Sequence, residues 1–243
     1  MQQSLKILLL QARKEDDPAQ LDERKSFADR CGLPLDNVVT FDLLNGTPTL
    51  GQVRQCDALM IGGSGEFYVS QRNLPGFEAV VELLGEITAV SHPTFASCFG
   101  FQLLAHALGG EIIFDPSSIE IGTYPITLTE VGKQDDLFSY FPEIFNAQLG
   151  RKDRAVRLPE TVLHLAGSER APYQALRVLE KPIWGTQFHP ELTRAENLAR
   201  FNRYLEDYAG VLDETEIQKA VARFQESPET EALIGRFLRI VFG

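Results

Sequence analysis

Short apolar runs alternate with segments of helical periodicity through the first hundred residues. The runs predict buried strands at 6–10, 38–41, 57–61 and 93–97. The helical segments lie at 21–31, 76–84 and 101–108. Strands that alternate with helices of this length favour parallel pairing, with helices on both faces of the sheet. The N-terminal part therefore predicts an α/β fold with a mostly parallel sheet.

The middle of the chain, from 112 to about 179, has a different pattern. Apolar runs at 126–129, 155–158 and 161–165 follow one another with few intervening helices, which predicts a small antiparallel region. A last buried strand is expected at 182–188, and an amphipathic helix at 194–208. One domain over 1–208 accounts for all of these elements.

Residues 209–243 are expected to form a C-terminal helical extension. Asp213 and Glu216 have the spacing of a capping box, and Ser227 before Pro228 marks a second helix start. Ile217, Val221 and Phe224 then share one face of the first helix. The second helix carries an apolar stripe that needs a covering surface. The stripe consists of Leu233, Ile234, Phe237, Leu238 and Val241. It either packs back on the domain or forms a contact between copies of the chain in a homo-oligomer.

Composition and charge exclude several function classes. The chain is 44% hydrophobic and 23% charged, which is ordinary for a globular protein, and its formal net charge of −11 argues against nucleic acid or an anionic membrane as partner. No apolar run is long enough for a signal peptide or a membrane span. Three cysteines without a C-x-x-C spacing fit a reducing cytoplasm and predict neither a disulfide framework nor a metal site. No cofactor motif is present.

Cys98 lies between a predicted buried strand and a predicted helix. Ala96 before it and Gly100 after it are small enough for the strained strand-to-helix turn of a nucleophile elbow. The positive N-terminal end of a helix favours a thiolate there. Cys98 is therefore the candidate nucleophile, whereas Cys31 and Cys56 are interpreted as buried structural residues.

His189 and Glu191 follow the last predicted strand, about ninety residues after Cys98. In an extended or turning segment, side chains two positions apart lie on the same side, and Pro190 fixes the backbone between them. The carboxylate can then bind one ring nitrogen and leave the other facing the thiol. The pattern indicates a nucleophile, a base and a residue that orients the base.

Gly62 and Gly63 follow the third predicted strand. Glycine lets the backbone approach a ligand closely. The backbone N–H groups of Gly63 and Phe99 are therefore candidates for an oxyanion hole. The G-K-[ST] ending of a phosphate-binding loop is missing, so a nucleotide site is not expected here.

These motifs together resemble class I glutamine amidotransferases, in particular the free-standing group similar to the glutaminase domain of GMP synthase. The resemblance covers about residues 5–205 and rests on Gly62-Gly63, on the block from Cys98 to Gly110 and on the block from Gly185 to Glu191. It implies a flavodoxin-like sheet and a Cys-His-Glu triad. It also implies that Gln102 and the backbone near Gly62 hold the glutamyl group of glutamine or of a related γ-glutamyl compound.

Two positions depart from the pattern of these relatives. Phe101 stands where many of them carry histidine. Arg151 replaces a histidine two positions before Asp153, which itself matches. Neither belongs to the triad, so both are expected to affect only the region beyond the γ-carbonyl.

The sequence leaves three functions open. The first is a glutaminase that supplies ammonia to a separate acceptor synthetase, and the second is a stand-alone hydrolase of γ-glutamyl peptides or amines. The third is a catalytically silent binding or regulatory subunit, which an intact triad disfavours. The first two need the same residues at the γ-carbonyl. They are expected to differ in the space for the leaving group, which is tight for ammonia and open for an amine.

Overall fold

The computed structural model describes residues 5–206 and 212–243. Within these ranges the strands are β1 (Ile7–Gln11), β2 (Val38–Asp42), β3 (Ala58–Ile61), β4 (Thr94–Ser97), β5 (Glu111–Phe114), β6 (Glu120–Leu128), β7 (Ile144–Arg151), β8 (Asp153–Arg157), β9 (Val162–Gly167), β10 (Ala175–Val178) and β11 (Ile183–Thr186). The α-helices are α1 (Ala19–Cys31), α2 (Leu50–Val53), α3 (Phe77–Ala89), α4 (Phe99–Ala107), α5 (Arg194–Arg203), α6 (Glu214–Ala222), α7 (Pro228–Glu231) and α8 (Leu233–Phe242).

The main sheet has a parallel half and an antiparallel half. Strands β2, β1, β3, β4 and β11 pair in parallel in that spatial order. This is the flavodoxin-like order of a doubly wound sheet. Strands β10, β9, β6 and β7 continue the sheet with antiparallel pairing, and β5 pairs with β8 in a separate antiparallel ribbon. The expected α/β fold with a mostly parallel sheet and an antiparallel region is confirmed.

Side chains of alternate residues on the parallel strands enter two apolar cores. Ile7 and Leu9 face one core with α1 and α8, whereas Leu8 and Leu10 face the other with α3 and α4. This alternation is the two-residue period of a strand. Helices therefore cover both faces of the sheet, as the sequence predicted.

Part of the antiparallel half was not predicted from the sequence. The missing elements are strands β5, β7 and β10 and the first residues of β6. Strand β6 contains Gly122 at a φ of +102° and Pro125, which both weaken a strand signal. The pairing of β6 with β7 over eight residue pairs compensates for these residues. Tertiary pairing therefore determines these strands more than local preference does.

The apolar stripe of the C-terminal helix packs back on the domain. Leu233, Ile234, Phe237 and Leu238 are fully buried in the same core as α1. The ring of Phe237 meets the rings of Phe95 and Trp184 edge to face, with centroids 5.6 and 5.8 Å away. Of the two alternatives for this stripe, the structure therefore has the intramolecular one.

The other features of the extension agree with the sequence in part. Asp213 and Glu216 form the expected capping box, and Pro228 begins α7. Val221 is exposed, contrary to expectation, because Ala220 points to β6 in its place. The predicted helix end at 208 and the domain boundary at 208/209 lie outside the described residues. No helix among the described residues is long and apolar enough to cross a membrane.

Candidate active site

The predicted strand-to-helix turn at Cys98 is formed where β4 passes into α4. Cys98 has a φ of +52°, which is uncommon for a residue with a side chain, and its N–H donates to the Thr186 carbonyl at 2.7 Å. A Cβ added at Gly100 would lie 2.6 Å from the Ile61 carbonyl oxygen, so the close approach of α4 to β3 requires glycine. This contact fixes Cys98 above the carboxyl ends of β3, β4 and β11.

His189 and Glu191 lie just beyond the end of β11. Nδ1 of His189 is 2.6 Å from Oε1 of Glu191, and both side chains are almost completely buried. The backbone N–H of His189 donates to the Gln148 carbonyl at 2.8 Å, which anchors the segment to the antiparallel half of the sheet. Cys98 is close enough to His189 to contribute to its electrostatics, so the structure brings all three residues together.

The ionisation of the pair follows from its surroundings. Burial disfavours the imidazolium, but the Glu191 carboxylate and the Cys98 thiol outweigh burial and raise the pKa of His189 to about 9. Burial also disfavours the carboxylate, yet the charge of His189 outweighs it and lowers the pKa of Glu191 to about 2. The pair is therefore held as an imidazolium and a carboxylate near neutral pH.

Two further side chains lie against the Glu191 carboxylate. Ser97 donates its hydroxyl to Oε2 at 2.7 Å. Arg200 on α5 brings Nη1 to 3.6 Å from Oε1. Neither contact was predicted from the sequence.

The Gly62-Gly63 turn lies against a buried carboxylate, Glu23 of α1. A Cβ at Gly62 would lie 2.7 Å from this carboxylate, and one at Gly63 would lie 2.9 Å from Cε1 of His189. The N–H of Gly63 donates to Oε1 of Glu23 at 3.1 Å. This proposed oxyanion donor is therefore engaged by a side chain. The N–H of Phe99, the other candidate, lies in the first turn of α4, where amides have no acceptor within the helix.

Glu23 is held in place by an arginine. Arg13, just after β1, donates to its two oxygens through Nε at 3.1 Å and Nη2 at 2.9 Å. Burial opposes the charge of Glu23, but the Arg13 guanidinium outweighs it and holds the pKa of that carboxyl below its usual range. Arg200 adds a longer contact, with Nη2 3.9 Å from Oε1. Arg200 thus lies between the carboxylates of Glu23 and Glu191.

Gln102 and Gln187 link Cys98 to β8. Nε2 of Gln102 donates to the Asp153 carbonyl and to Oε1 of Gln187, both at 3.1 Å. Nε2 of Gln187 in turn lies 3.7 Å from the sulfur of Cys98. The amide nitrogen of Gln102 is therefore used within the protein, while its side chain still borders the cleft beside Cys98.

Of the two residues that depart from the expected pattern, Phe101 lies in the apolar core, whereas Arg151 also lines the cleft beside Cys98. The ring of Phe101 is fully buried in the core with α3 and packs against Gly185. The guanidinium of Arg151 is fully buried and pairs with Glu120 at 2.6 Å. Asp153 accepts from the backbone and hydroxyl of Ser70, and burial raises the pKa of its carboxyl despite these bonds.

A cleft with two compartments runs past the triad under Ser64 and Tyr204. The compartment on the Cys98 side has a cavity of about 40 Å³ and is also lined by Gln102. The compartment on the His189 side, which Phe201 also lines, has a cavity of about 20 Å³. The described residues contain no group of three or more histidine, cysteine or acidic side chains placed to hold a metal ion.

Sequence motifs identify the three candidate residues but not the side chains that contact them. In the sequence, Ser97 is only the last residue of a predicted strand, and Arg200 is only part of the predicted amphipathic helix 194–208. Arg13 and Glu23 are ten residues apart on different elements, so no local pattern marks their contact. Gln187 lies within the histidine block, and its side chain contact could be found only from the fold.

Known proteins match the central part of this chain in sequence. The family model for class I glutamine amidotransferases matches residues 47–204. A glutamine-hydrolysing GMP synthase subunit from Methanocaldococcus jannaschii is 38% identical over 104 residues, which cover 43% of this chain and 53% of that protein. The corresponding protein of Methanococcus aeolicus is 35% identical over 122 residues, covering 50% and 63%. The chain thus spans a little over half the length of these curated relatives.

Solved structures share the fold over nearly the whole chain. A glutamine amidotransferase from Thermotoga maritima superposes with a TM-score of 0.73 at 18% identity and covers 98% of this chain and 99% of that one. A glutamine amidotransferase from Methylobacillus flagellatus has a TM-score of 0.70 at 19% identity, covering 96% and 94%. The similarity in fold therefore includes most of the C-terminal helices.

Proposed function

Because the chain belongs to the class I glutamine amidotransferase family, we propose that it hydrolyses the γ-carboxamide of glutamine through a thioester on Cys98 and releases ammonia for a separate acceptor enzyme. The observation that carries this proposal is the buried His189–Glu191 pair beside Cys98, with 2.6 Å between Nδ1 and Oε1. A nucleophile, a base and an orienting carboxylate in this arrangement are the requirements for acyl transfer.

In the proposed reaction, the Cys98 thiolate attacks the γ-carbon of glutamine and forms a tetrahedral oxyanion. The imidazolium of His189 gives its proton to the leaving nitrogen, and ammonia departs to leave a γ-glutamyl thioester. His189 then takes a proton from water, and the hydroxide displaces the sulfur. Glutamate is released and the thiolate is restored, so the net reaction consumes one water per glutamine.

The oxyanion is assigned to the backbone N–H groups of Phe99 and Gly63. The Phe99 amide has the geometry of a helix N-terminus, which suits a developing negative charge. Gly63 can contribute only when its N–H leaves Glu23, to which it donates at 3.1 Å. We assign the glutamyl group of the substrate to the compartment beside Cys98, Gln102 and the Gly62 turn.

The size of the second compartment favours ammonia as the leaving group. It is lined by His189, which must protonate that group, and it holds a cavity of about 20 Å³. About 10–15 Å³ is needed for one water-sized molecule, so there is room for ammonia or for the hydrolytic water. A γ-glutamyl peptide or amine has a larger leaving group than ammonia, and Phe201 and Tyr204 border the space that this group would enter. The glutaminase is therefore preferred to the γ-glutamyl hydrolase.

The names of the relatives support a separate enzyme as the acceptor of the ammonia. Both curated proteins are named as one subunit of a glutamine-hydrolysing GMP synthase. We propose that this chain likewise works with a synthetase on another chain. We also propose the cytoplasm as its location, because Cys31, Cys56 and Cys98 are all free thiols.

The experiment measures glutamate released from glutamine and from a panel of γ-glutamyl amides and peptides, with and without a candidate synthetase. Cys98→Ala is expected to abolish release, whereas Cys31→Ala is expected to retain it. A chloroketone analogue of glutamine is expected to alkylate Cys98 and spare Cys31, because burial raises the pKa of the Cys31 thiol to about 12.

Each outcome has a defined meaning. Release from glutamine that rises when the synthetase is added supports the proposal. Efficient release from peptides by the lone chain would support the γ-glutamyl hydrolase in its place. Equal activity of the wild type and Cys98→Ala would contradict both functions.

A further inference from the structure

The two oxygens of the Glu191 carboxylate have different partners. Oε1 lies 2.6 Å from Nδ1 of His189, and Oε2 accepts the hydroxyl of Ser97 at 2.7 Å. Glu191 is fully buried, so bulk water cannot take the place of the hydroxyl. The last torsion of a glutamate side chain is broad and weakly restrained. Fixing Oε2 therefore also fixes the direction in which Oε1 meets the imidazole.

Ser97 is placed to link the nucleophile with the base. It is the last residue of β4, directly before Cys98, and it lies in register with Thr186 at the end of β11. The N–H of Cys98 donates to the carbonyl of Thr186 at 2.7 Å. The same short segment therefore holds the nucleophile through its backbone and orients Glu191 through a side chain.

Arg200 approaches the same carboxylate from α5. Its Nη1 lies 3.6 Å from Oε1 of Glu191, and this nitrogen is buried without a hydrogen-bond partner among the described residues. Its Nη2 is 3.9 Å from Glu23. A guanidinium in this place acts mainly through its charge, which opposes protonation of a carboxyl removed from water.

We propose that Ser97 and Arg200 are positioning residues for the triad: the hydroxyl of Ser97 fixes the orientation of the Glu191 carboxylate, and the charge of Arg200 keeps it ionised. This inference rests on the proposed glutaminase function. Both residues act through Glu191 and not on the reacting carbon. Among the described residues, the other charged or titratable groups around the pair include Cys98 before α4, Glu23 and Arg30 on α1 and Arg13 after β1.

The test for Ser97 compares Ser97→Ala and Ser97→Thr with a matched control. In Ser97→Ala, kcat is expected to fall about tenfold, which corresponds to about 1.4 kcal/mol in the barrier, while KM stays within about twofold. Ser97→Thr keeps the hydroxyl and is expected to recover most of kcat. The control is Ser26→Ala, because Ser26 also donates to a glutamate, Glu196, at 2.9 Å but lies outside the triad.

The pH dependence gives a readout that a purely structural role would not change. A carboxylate that is free to rotate holds the His189 proton less tightly. The alkaline limb of the kcat profile is therefore expected to move to lower pH in Ser97→Ala. Glutamate release is measured with the candidate synthetase present where turnover by the lone chain is slow.

The test for Arg200 uses Arg200→Gln with Arg203→Gln as control. Arg203 lies on the same helix and pairs with Asp22 at 2.8 Å, away from the triad. The loss of kcat in Arg200→Gln is expected to grow as the pH is lowered below about 5, since the pKa of Glu191, about 2 with Arg200 present, rises when this charge is removed. Arg203→Gln is expected to follow the wild-type profile.

The outcomes separate this inference from the function on which it rests. Glutamine hydrolysis that survives in Cys98→Ala would overturn the proposed function. If Cys98→Ala is inactive while Ser97→Ala and Arg200→Gln match the wild type in kcat and pH profile, only the positioning roles are wrong. If Ser97→Thr folds but loses as much kcat as Ser97→Ala, loss of the hydroxyl is not the cause of the lower rate.

Discussion

The contact between Gly63 and His189 allows the position of the base to be tested with a single methyl group. A Cβ at Gly63 would lie 2.9 Å from Cε1 of the imidazole, about 0.5 Å short of the 3.4 Å at which ordinary contact begins. Gly63 does not have a positive φ, so alanine is tolerated by its backbone. The effect of Gly63→Ala should therefore come from the ring it displaces.

The size of the effect follows from that displacement. The imidazole is held at 2.6 Å from Glu191, and a shift of half an ångström lengthens this bond or turns the ring from Cys98. Misplacing a catalytic group by about 1 Å costs about 100-fold in rate, so half of that suggests a loss of about tenfold in kcat. This corresponds to about 1.4 kcal/mol in the barrier.

The assay is the initial rate of glutamate release, with the fold followed by circular dichroism and thermal unfolding. The matched control is Gly85→Ala, because no atom lies within 4 Å of a Cβ at that position in α3. Alanine there is expected to leave kcat unchanged and to stabilise the protein by about 0.5–1 kcal/mol. A folded Gly63→Ala that retains kcat within about twofold would refute the close packing of the turn on the base.

Three further predictions concern stability and are measured by urea unfolding. Glu23→Gln leaves its buried partner, Arg13, without a counter-charge and should lower the free energy of unfolding by about 3–5 kcal/mol. Glu66→Gln removes an exposed ion pair and should lower it by less than about 1 kcal/mol. Similar losses in the two variants would contradict the role of burial. Phe237→Ala should lower the free energy of unfolding by about 3–5 kcal/mol, because the ring is fully buried. Ile240→Ala should lower it much less, because the Ile240 side chain is 37% exposed. Equal losses would indicate that α8 is not part of the core. The pKa of His189 is raised from about 6.5 to about 9, so its contribution to stability is full below about pH 6.5 and disappears as the pH rises through about 9. Wild type should therefore lose more stability than His189→Gln between pH 6 and 10, and parallel losses would show that the pair does not stabilise the fold.

The parallel half of the fold could be predicted from the sequence because its strands are continuous apolar runs bounded by glycine and proline. Helix α1, for example, ends where Gly32 adopts a φ of +65°, and the sequence has a stop signal there. The first residues of strand β6 could not be predicted, since Gly122 and Pro125 obscure its pattern and its pairing with β7 depends on the fold. Local signals therefore define an element only where tertiary pairing does not override them.

The candidate site divides in the same way. Cys98, His189 and Glu191 each lie in a local motif at a strand end, and parallel strands bring such ends to one edge of the sheet. The contacts of Ser97 and Arg200 with the triad depend on how β4, β11 and α5 pack. The engagement of the Gly63 amide by a carboxylate from α1 is likewise a property of the packing.

The burial of α8 against α1 has a consequence for the synthesis of the protein. Ile7, Leu9 and Phe27 face a core that α8, residues 233–242, covers on one side. These side chains therefore stay exposed until this helix has been synthesised. Contacts between segments so far apart in sequence form slowly, and uncovered apolar surface favours aggregation meanwhile. A partly folded chain in which α8 has not docked therefore exposes the apolar side chains that this helix covers.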